Sequence, residues 1–212
     1  VKNLHDIRTE YAAKPLIPEE MCQDPVAQFT SWFEDVEKLN IQDSNAATLS
    51  TYDIHHNRVR SRIILIKEIT KSGIIFFSNY ESDKGKEIFS HPQVALNIYW
   101  PTLFRQVRFE GTITKTHPGI SDNYFLSRPR ASQVSAIISK QSSIVESRLT
   151  LEKRYQILLQ DDKPLKRPEY WGGFEVTATY WEFWQGRNHR LHDRVSYTQN
   201  AHNTWEKKIL EP

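Results

Sequence analysis

The sequence predicts a mainly β chain with helices, an α+β arrangement built as a small antiparallel barrel decorated by helices. Three observations lead there. Short runs rich in β-branched and aromatic residues crowd into about seventy residues: Ala46 to Tyr52, Val59 to Ile66, Gly73 to Ser78, Val94 to Trp100 and Arg105 to Lys115. Helical patterning takes over after Pro118. From Gly173 to Leu210 the chain returns to strands, so early and late segments must share one sheet for either to bury its apolar face.

In chain order, residues 1–23 are polar, carry Pro15 and Pro18 and hold no sustained period, so an arm is expected there, with the folded domain over 24–212. Asp24-Pro25 sets an N-cap before a proline at the first helical position, and Val26, Phe29, Phe33 and Val36 give the stripe that the following helix buries. The strand runs come next. A short helix over Ser82 to Ser90 interrupts them, capped by Ser82 and ended by His91-Pro92. Beyond Pro118, helices are expected over Ser121 to Ser127, Pro129 to Ser139 and, as a longer amphipathic one, about Ser143 to Leu159, before a charged, proline-containing connector over Asp161 to Pro168. The sequence holds no internal repeat or low-complexity tract.

At 212 residues the chain is long enough to bury a proper core. A formal net charge of +2 does not demand a general nucleic-acid surface, and none is expected. Basic residues do cluster locally, Arg58, Arg60, Arg62 and Lys67 in one window and Arg105 with Arg108 in another, which suggests local anion sites. Aromatic content of 12% with six Trp fits large buried surfaces or a flat ligand. Cys22 is the single cysteine, so no intramolecular disulfide can form and an intracellular, cytoplasmic location is expected. There is no apolar run near twenty residues, and the charged start from Val1 to Tyr11 lacks a signal-peptide core, so no membrane association or export is expected. The eight histidines lack the glutamate-flanked i, i+4 pairing of a zinc helix, so no metal site is expected.

The densest chemistry lies in Glu182-Phe-Trp-Gln-Gly-Arg-Asn-His-Arg-Leu-His-Asp-Arg194. If this segment runs as a strand, Arg190, His192 and Arg194 share a face, and two fixed cations flank one titratable imidazole. Such a row suits an anionic, planar ligand; the alternative is a solvated edge strand protected by its charges. Trp184, Gln185 and Gly186 beside it favour a site. Tyr124, Arg128 and Ser132 are spaced by four, but Pro129 should end one helix at Arg128 and start another, leaving Ser132 in a first turn with unpaired N–H groups that favour phosphate. Ordinary surface polarity is the competing reading. Arg62 and Lys67 fall on opposite faces of a regular strand, and the apolar run between them argues for burial relieved by an anion. Ser82-Asp-Lys84 and Gln141-Ser142, both at expected helix starts, are further phosphate candidates. Gln106 could hydrogen-bond a heterocycle edge or pair across the sheet.

Arg62 to Lys67, Asn79-Tyr-Glu-Ser-Asp-Lys-Gly85, Arg105-Gln-Val107, Tyr124-Phe-Leu-Ser-Arg-Pro129, Ser132-Gln133, Ser139-Lys-Gln-Ser142, Trp171-Gly-Gly173 and Glu182 to Arg194 together resemble the pyridoxine/pyridoxamine 5'-phosphate oxidase family. The match spans nearly the whole chain, and the joint order and spacing are specific to that family. The resemblance implies an FMN-binding split β-barrel working as a homodimer, with the flavin at the subunit interface. It implies that Arg62 and Lys84 hold the FMN phosphate, with Gln141 and Ser142 nearby, that Gln106, Trp184 and Arg194 surround the rest, and that Ile63, Ile64, Leu65, Ile66, Lys67, Phe77 and Ser78 complete the cofactor set. Lys67, Tyr124, Arg128 and Ser132 would bind the substrate phosphate. Arg190 and His192 would be the catalytic pair over the substrate ring, and Arg8 with Tyr11, an Arg-x-x-Tyr element, would bring the arm over the site as a lid.

The implied reaction is two-electron oxidation at the 4' carbon of pyridoxamine 5'-phosphate or pyridoxine 5'-phosphate, giving pyridoxal 5'-phosphate while O2 reoxidises the flavin to leave H2O2. Three departures stand out. Asp83 replaces a second phosphate-directed Arg common in the family, Ser135 replaces a glycine, and Ile209 removes a cation from the C-terminal motif Lys208-Ile-Leu-Glu-Pro212. Competing classes are a non-catalytic FMN or pyridoxal phosphate binding module, a nucleic-acid-binding barrel and a nicotinamide-dependent flavin reductase. The Tyr124/Arg128/Ser132 cluster argues against the first and last, and the near-neutral charge against the second.

Overall fold

The computed structural model describes residues 2–6, 10–11 and 13–212; Arg8 lies outside the described residues. Helix α1 (Pro25–Glu37) starts where the Asp24 carboxylate accepts from Val26 N at 2.8 Å. It buries Val26, Phe29, Trp32 and Val36, with Phe33 half-buried at the margin. The strands are β1 (Ala46–Asp53), β2 (Arg58–Leu65), a short β3 (Glu68–Ile69), β4 (Gly73–Asn79), β5 (Gln93–Trp100), β6 (Arg105–Lys115), β7 (Trp171–Gln185), β8 (Asp193–Gln199) and β9 (Trp205–Leu210). Helix α2 (Asp83–Ser90) precedes β5, and α3 (Pro118–Ser127), α4 (Arg130–Ile138) and α5 (Arg148–Leu159) fill the interval between β6 and β7.

All the strands join one nine-stranded antiparallel sheet in the order β2-β1-β5-β6-β7-β4-β3, with β8 on β7 and β9 on β8. The sheet curls until β2 lies near β4, yet no ladder joins them. The chain leaving β2 changes partner instead, Ile66 N donating to Asn45 O at 2.9 Å and Lys67 N to Ile75 O at 2.8 Å. The architecture is therefore mainly β with helices, as expected, but the barrel is not closed. Its core is a cross-strand row of buried Leu49, Leu96, Phe109, Trp181 and Tyr197, onto which α1 lowers Phe29.

Strand β7 carries the irregularity that matters most for the site. Glu110 pairs with Tyr180 but Gly111 pairs with Ala178, leaving Thr179 as an extra residue. Gly111 is required there, because a Cβ would sit 2.0 Å from Thr177 O. Before the bulge Phe174, Val176 and Ala178 point into the core; after it Trp181 and Phe183 do. Tyr180, Glu182 and Trp184 consequently lie on the sheet's other face.

Several expectations are corrected. The last helix of the middle segment begins only at Arg148, because Ser147 is extended and its Oγ accepts from Thr150 N at 3.1 Å. Gln141 and Ser142 therefore sit in a turn, with Ser142 at φ 72, rather than at a helix start. The segment with Arg190 and His192 is no strand either. Asn188–Arg190 form a single 3-10 turn with His189 and Arg190 at φ 57 and 61, and β8 starts only at Asp193. Nor does the core begin at Asp24: Met21 is buried in it, Tyr197 Oη donates to Cys22 O at 2.8 Å, and Leu16 N donates to Asp193 Oδ2 at 2.9 Å. The later part of the arm is thus docked along β8.

Candidate active site

A cavity of about 610 Å³ opens beside β4. Ile63, Ile64 and Leu65 of β2 and Lys67 just beyond it form one wall, and Phe77 and Ser78 of β4 form another. Lys84 and Gln141 close one end. The Lys84 ammonium donates to Ser78 Oγ at 3.1 Å, Ser82 Oγ at 3.2 Å and Gln141 Oε1 at 2.9 Å. Burial, helped by the positive charge of Arg62, lowers its pKa to about 8. Its hydrogen bonds all go to neutral oxygens, and the Asp83 and Glu87 carboxylates act on it only through their charge.

Tyr124, Arg128 and Ser132 line the other end, and the helix break that brings them there is the expected one: α3 ends at Ser127, Arg128 is extended, and α4 starts after Pro129. Tyr124 stacks on Phe77 with ring centroids 3.8 Å apart, and the Arg128 guanidinium lies 4.7 Å over the Trp171 ring. Arg128 Nη1 is buried with no hydrogen-bond partner among the described residues. Burial pushes the Arg128 pKa down and the Tyr124 phenol up, as expected of groups withdrawn from water. Ser132 sits in the first turn of α4, and Lys67 is exposed at the rim.

The remaining expected cofactor residues lie elsewhere. Arg62 faces away from the cavity wall: it donates to Thr51 Oγ1 and to the buried Glu87 carboxylate at 2.9 Å. Its anion partner is thus the protein's own. Ile66 is buried behind the wall, and Ser142 Oγ accepts from Asp83 N at 3.2 Å. Gln106, Trp184 and Arg194 form one cross-strand row on the outer face, Gln106 opposite Trp184 and Trp184 opposite Arg194. Arg194 is already engaged, through Nε at 3.0 Å and Nη2 at 2.9 Å with Glu182 Oε1 and through Nη1 with Glu211 O. Arg108 and Tyr180 Oη hold the other oxygen of Glu182. Burial alone would raise the Glu182 carboxyl, but hydrogen bonds from Arg194, Tyr180 and Arg108 outweigh it and keep the group ionised.

His192 packs against Trp184 at 4.7 Å between ring centroids, and Tyr11 of the arm lies edge-on to both. Gly186 makes that approach possible, since a Cβ there would meet Tyr11 at 2.9 Å. Burial and then the charge of Arg190 lower the His192 pKa, favouring the neutral ring. Its Nδ1 accepts from Arg187 N at 3.1 Å, which leaves the ring proton on Nε2. Arg190 is exposed beside it.

Within one chain the expected residues therefore fall into two groups. Lys67, Tyr124, Arg128 and Ser132 share the cavity with Ile63, Ile64, Leu65, Phe77, Ser78, Lys84 and Gln141. Gln106, Trp184, Arg190, His192, Arg194 and Tyr11 cluster around the far end of β7, separated from the cavity's Trp171 by roughly 40 Å of strand contour. Sequence reasoning gave no role to Trp171, Glu87 or Glu182. Each is buried; Trp171, in its Trp-Gly-Gly setting, and Glu182, heading the segment to Arg194, carried a visible signal, and Glu87 did not. Among the described residues no group of three or more His, Cys, Asp or Glu is placed to hold a metal ion, and no helix is long and apolar enough to cross a membrane.

Comparison with known proteins decides the family. The profile described as "Pyridoxamine 5'-phosphate oxidase" matches residues 33–157, and the one described as "Pyridoxine 5'-phosphate oxidase C-terminal dimerisation region" matches residues 171–212. A Burkholderia lata protein named pyridoxine/pyridoxamine 5'-phosphate oxidase is 42% identical, over 99% of this chain and 99% of its own length. This chain belongs to the pyridoxine/pyridoxamine 5'-phosphate oxidase family. A Legionella pneumophila member of the same name is 41% identical over 100% of this chain and 98% of its own. Among solved structures, PhzG from Burkholderia lata 383 in complex with tetrahydrophenazine-1-carboxylic acid shares the family fold at TM-score 0.89 and 23% identity, covering 95% of this chain and 100% of that one. A pyridoxamine 5'-phosphate oxidase-related, FMN binding protein from Nostoc punctiforme does so at TM-score 0.71 and 14% identity, covering 89% and 97%.

Proposed function

We propose that this chain is an FMN-dependent oxidase that converts pyridoxamine 5'-phosphate or pyridoxine 5'-phosphate, with O2, to pyridoxal 5'-phosphate and H2O2. The observation that carries the reading is the pairing of two anion-seeking corners in one cavity, Lys84 with Gln141 at one end and the partnerless Arg128 guanidinium with Tyr124 and Ser132 at the other. A flavin carrier needs one phosphate position. An oxidase of a phosphorylated vitamer needs two. The tetrahydrophenazine-1-carboxylic acid named with PhzG is an anion without phosphate; Arg128 alone would receive either, and it is the set of four donors, Lys67, Tyr124, Arg128 and Ser132, that favours the three oxygens of a phosphate.

FMN, held at its phosphate by Lys84 with Gln141, would supply the two-electron chemistry between the substrate 4' carbon and O2. In this reading Lys67, Tyr124, Arg128 and Ser132 hold the substrate phosphate, Arg190 orients the pyridine ring, and His192 donates a hydrogen bond from Nε2. Residues 1–23 act as an arm over the 24–212 domain, Tyr11 already covering His192, with Arg8 as its companion. A site that needs both groups draws them from two subunits of a homodimer, which the match to a dimerisation region and the exposed apolar side chains of Val59, Ile63 and Leu65 on β2 support.

The test is turnover of pyridoxamine 5'-phosphate in air by FMN-loaded protein, following aldehyde and H2O2 together. Arg128→Met should raise KM for the phosphorylated amine by about tenfold or more while FMN stays bound, as expected for loss of a charge-assisted phosphate contact. His192→Ala should lower kcat. Yellow protein that oxidises neither the amine nor the alcohol would leave a flavin-binding module as the better account.

A further inference from the structure

The charge at the Lys84 corner balances in an unexpected way. Arg60 and Arg62 project from the same face of β2, and α2 presents Asp83, Lys84 and Glu87 to them. Arg60 Nη1 lies 2.9 Å from Asp83 Oδ2 and 3.2 Å from Glu87 Oε1, while its Nη2 lies 3.2 Å from Asp53 Oδ2. Arg62 Nη2 takes the other Glu87 oxygen at 2.9 Å. Arg58, Arg60, Arg62 and Lys84 thus face Asp53, Asp83 and Glu87, four formal positive charges against three negative, so the cations are largely neutralised where a phosphate dianion is to be received. Asp83 is the anion nearest to trouble, since it adjoins Lys84 in sequence and occupies the first turn of α2, the end whose N–H groups attract phosphate. Yet Lys84 lines the cavity and Asp83 does not.

We propose that Arg60 is a positioning residue of this corner: it holds the Asp83 carboxylate out of the cavity and neutralises it, so that Lys84 with Gln141 can receive the FMN phosphate, and the Arg60–Asp83 pair sets how tightly the chain holds FMN. The inference rests on the FMN reading above. It follows from placement: Asp83 is half-exposed and free to swing, Arg60 is pinned by Asp53 and Glu87 as well, and a pinned guanidinium is a fixed anchor for a mobile carboxylate. Remove the anchor and the carboxylate is released beside the ammonium that the phosphate needs.

The experiment is an FMN titration by flavin fluorescence on the full chain, with thermal unfolding in parallel, for wild type, Arg60→Ala, Asp83→Asn and the double variant. Arg60→Ala should weaken FMN by about tenfold, Asp83→Asn should tighten it about threefold, and the double variant should bind like Asp83→Asn alone. A double variant as weak as Arg60→Ala would mean that Arg60 acts only by bracing Asp53 and Glu87, and would overturn the proposal. Should Arg60→Ala fail to fold, Asp83→Asn decides the matter, since unchanged affinity in that variant also overturns it. Wild type that binds no FMN at any concentration would bring down the flavin reading itself, an outcome distinct from wild type that binds and variants that do not differ from it.

Discussion

Lys84 gives the most direct handle at the scale of single residues. Its ammonium has a pKa of about 8, so it is roughly 90% charged at pH 7 and mostly neutral well above pH 9. A bound phosphate stabilises the charged form. FMN affinity should therefore be nearly full at pH 7 and fall as pH rises through 8, by up to about thirtyfold between pH 7 and 9.5, and Lys84→Met should bind weakly with that pH dependence gone. Fluorescence titrations at several pH values check both. What made residues legible or illegible in the sequence is visible here too. The Tyr124/Arg128/Ser132 cluster could be read because a pre-proline break fixes local geometry without help from the rest of the chain. The partner of Arg62 could not: Glu87 lies on another element, 25 residues away, and only the packed structure shows that the expected buried anion is the protein's own carboxylate. The same holds for the two basic windows, since Arg58 and Arg60 meet Asp53, and Arg105 and Arg108 meet Asp35 and Glu182.

At the scale of elements, the β6-β7-β8 ladder is pinned by Glu182 between Arg108 and Arg194. The carboxylate is buried and both guanidinium groups are partly exposed, so Glu182→Ala falls between the surface and buried regimes and should cost about 2–3 kcal/mol, read as a lower urea midpoint. The variant should also free Arg194 from the carboxylate that now holds it. Strands and helices were largely legible, because alternation and capping are local signals. The misreadings occurred where one side chain diverts the backbone. Ser147 caps α5 and starts it late, and the 3-10 turn at Asn188–Arg190, locked by Arg187 N on His192 Nδ1, turns an apparent strand into a loop. That loop sets His192 against Trp184, which a regular strand starting at Glu182 would not do.

For the whole molecule, the separation of the two residue groups along β7 predicts that each complete site is shared between subunits. Lys84→Met carries its lesion in the cavity and His192→Ala carries its own at the far end of β7. Mixing the two inactive variants and allowing subunits to exchange should restore about a quarter of wild-type activity, since random pairing makes half the dimers mixed and each mixed dimer has one intact site. No recovery despite verified exchange would place both groups in the same chain's site. A further consequence lies in the extra residue of β7. Because a strand alternates sides with every residue, the spare Thr179 shifts the count: before it the even-numbered side chains face the core, after it the odd-numbered ones do, and Tyr180, Glu182 and Trp184 lie on the outer face. Thr179→Ala should be nearly silent, and deletion of Thr179 should also fold, because Ala178 and Tyr180, already paired with the neighbours Gly111 and Glu110, then follow each other in regular alternation; one residue inserted between Trp181 and Glu182 should instead drive Glu182 into the core, turn Phe183 outward and prevent folding, read by thermal unfolding. The strand thus carries one spare residue without turning over, and the ladder with β6 alone fixes which side of the sheet Glu182 and Trp184 present.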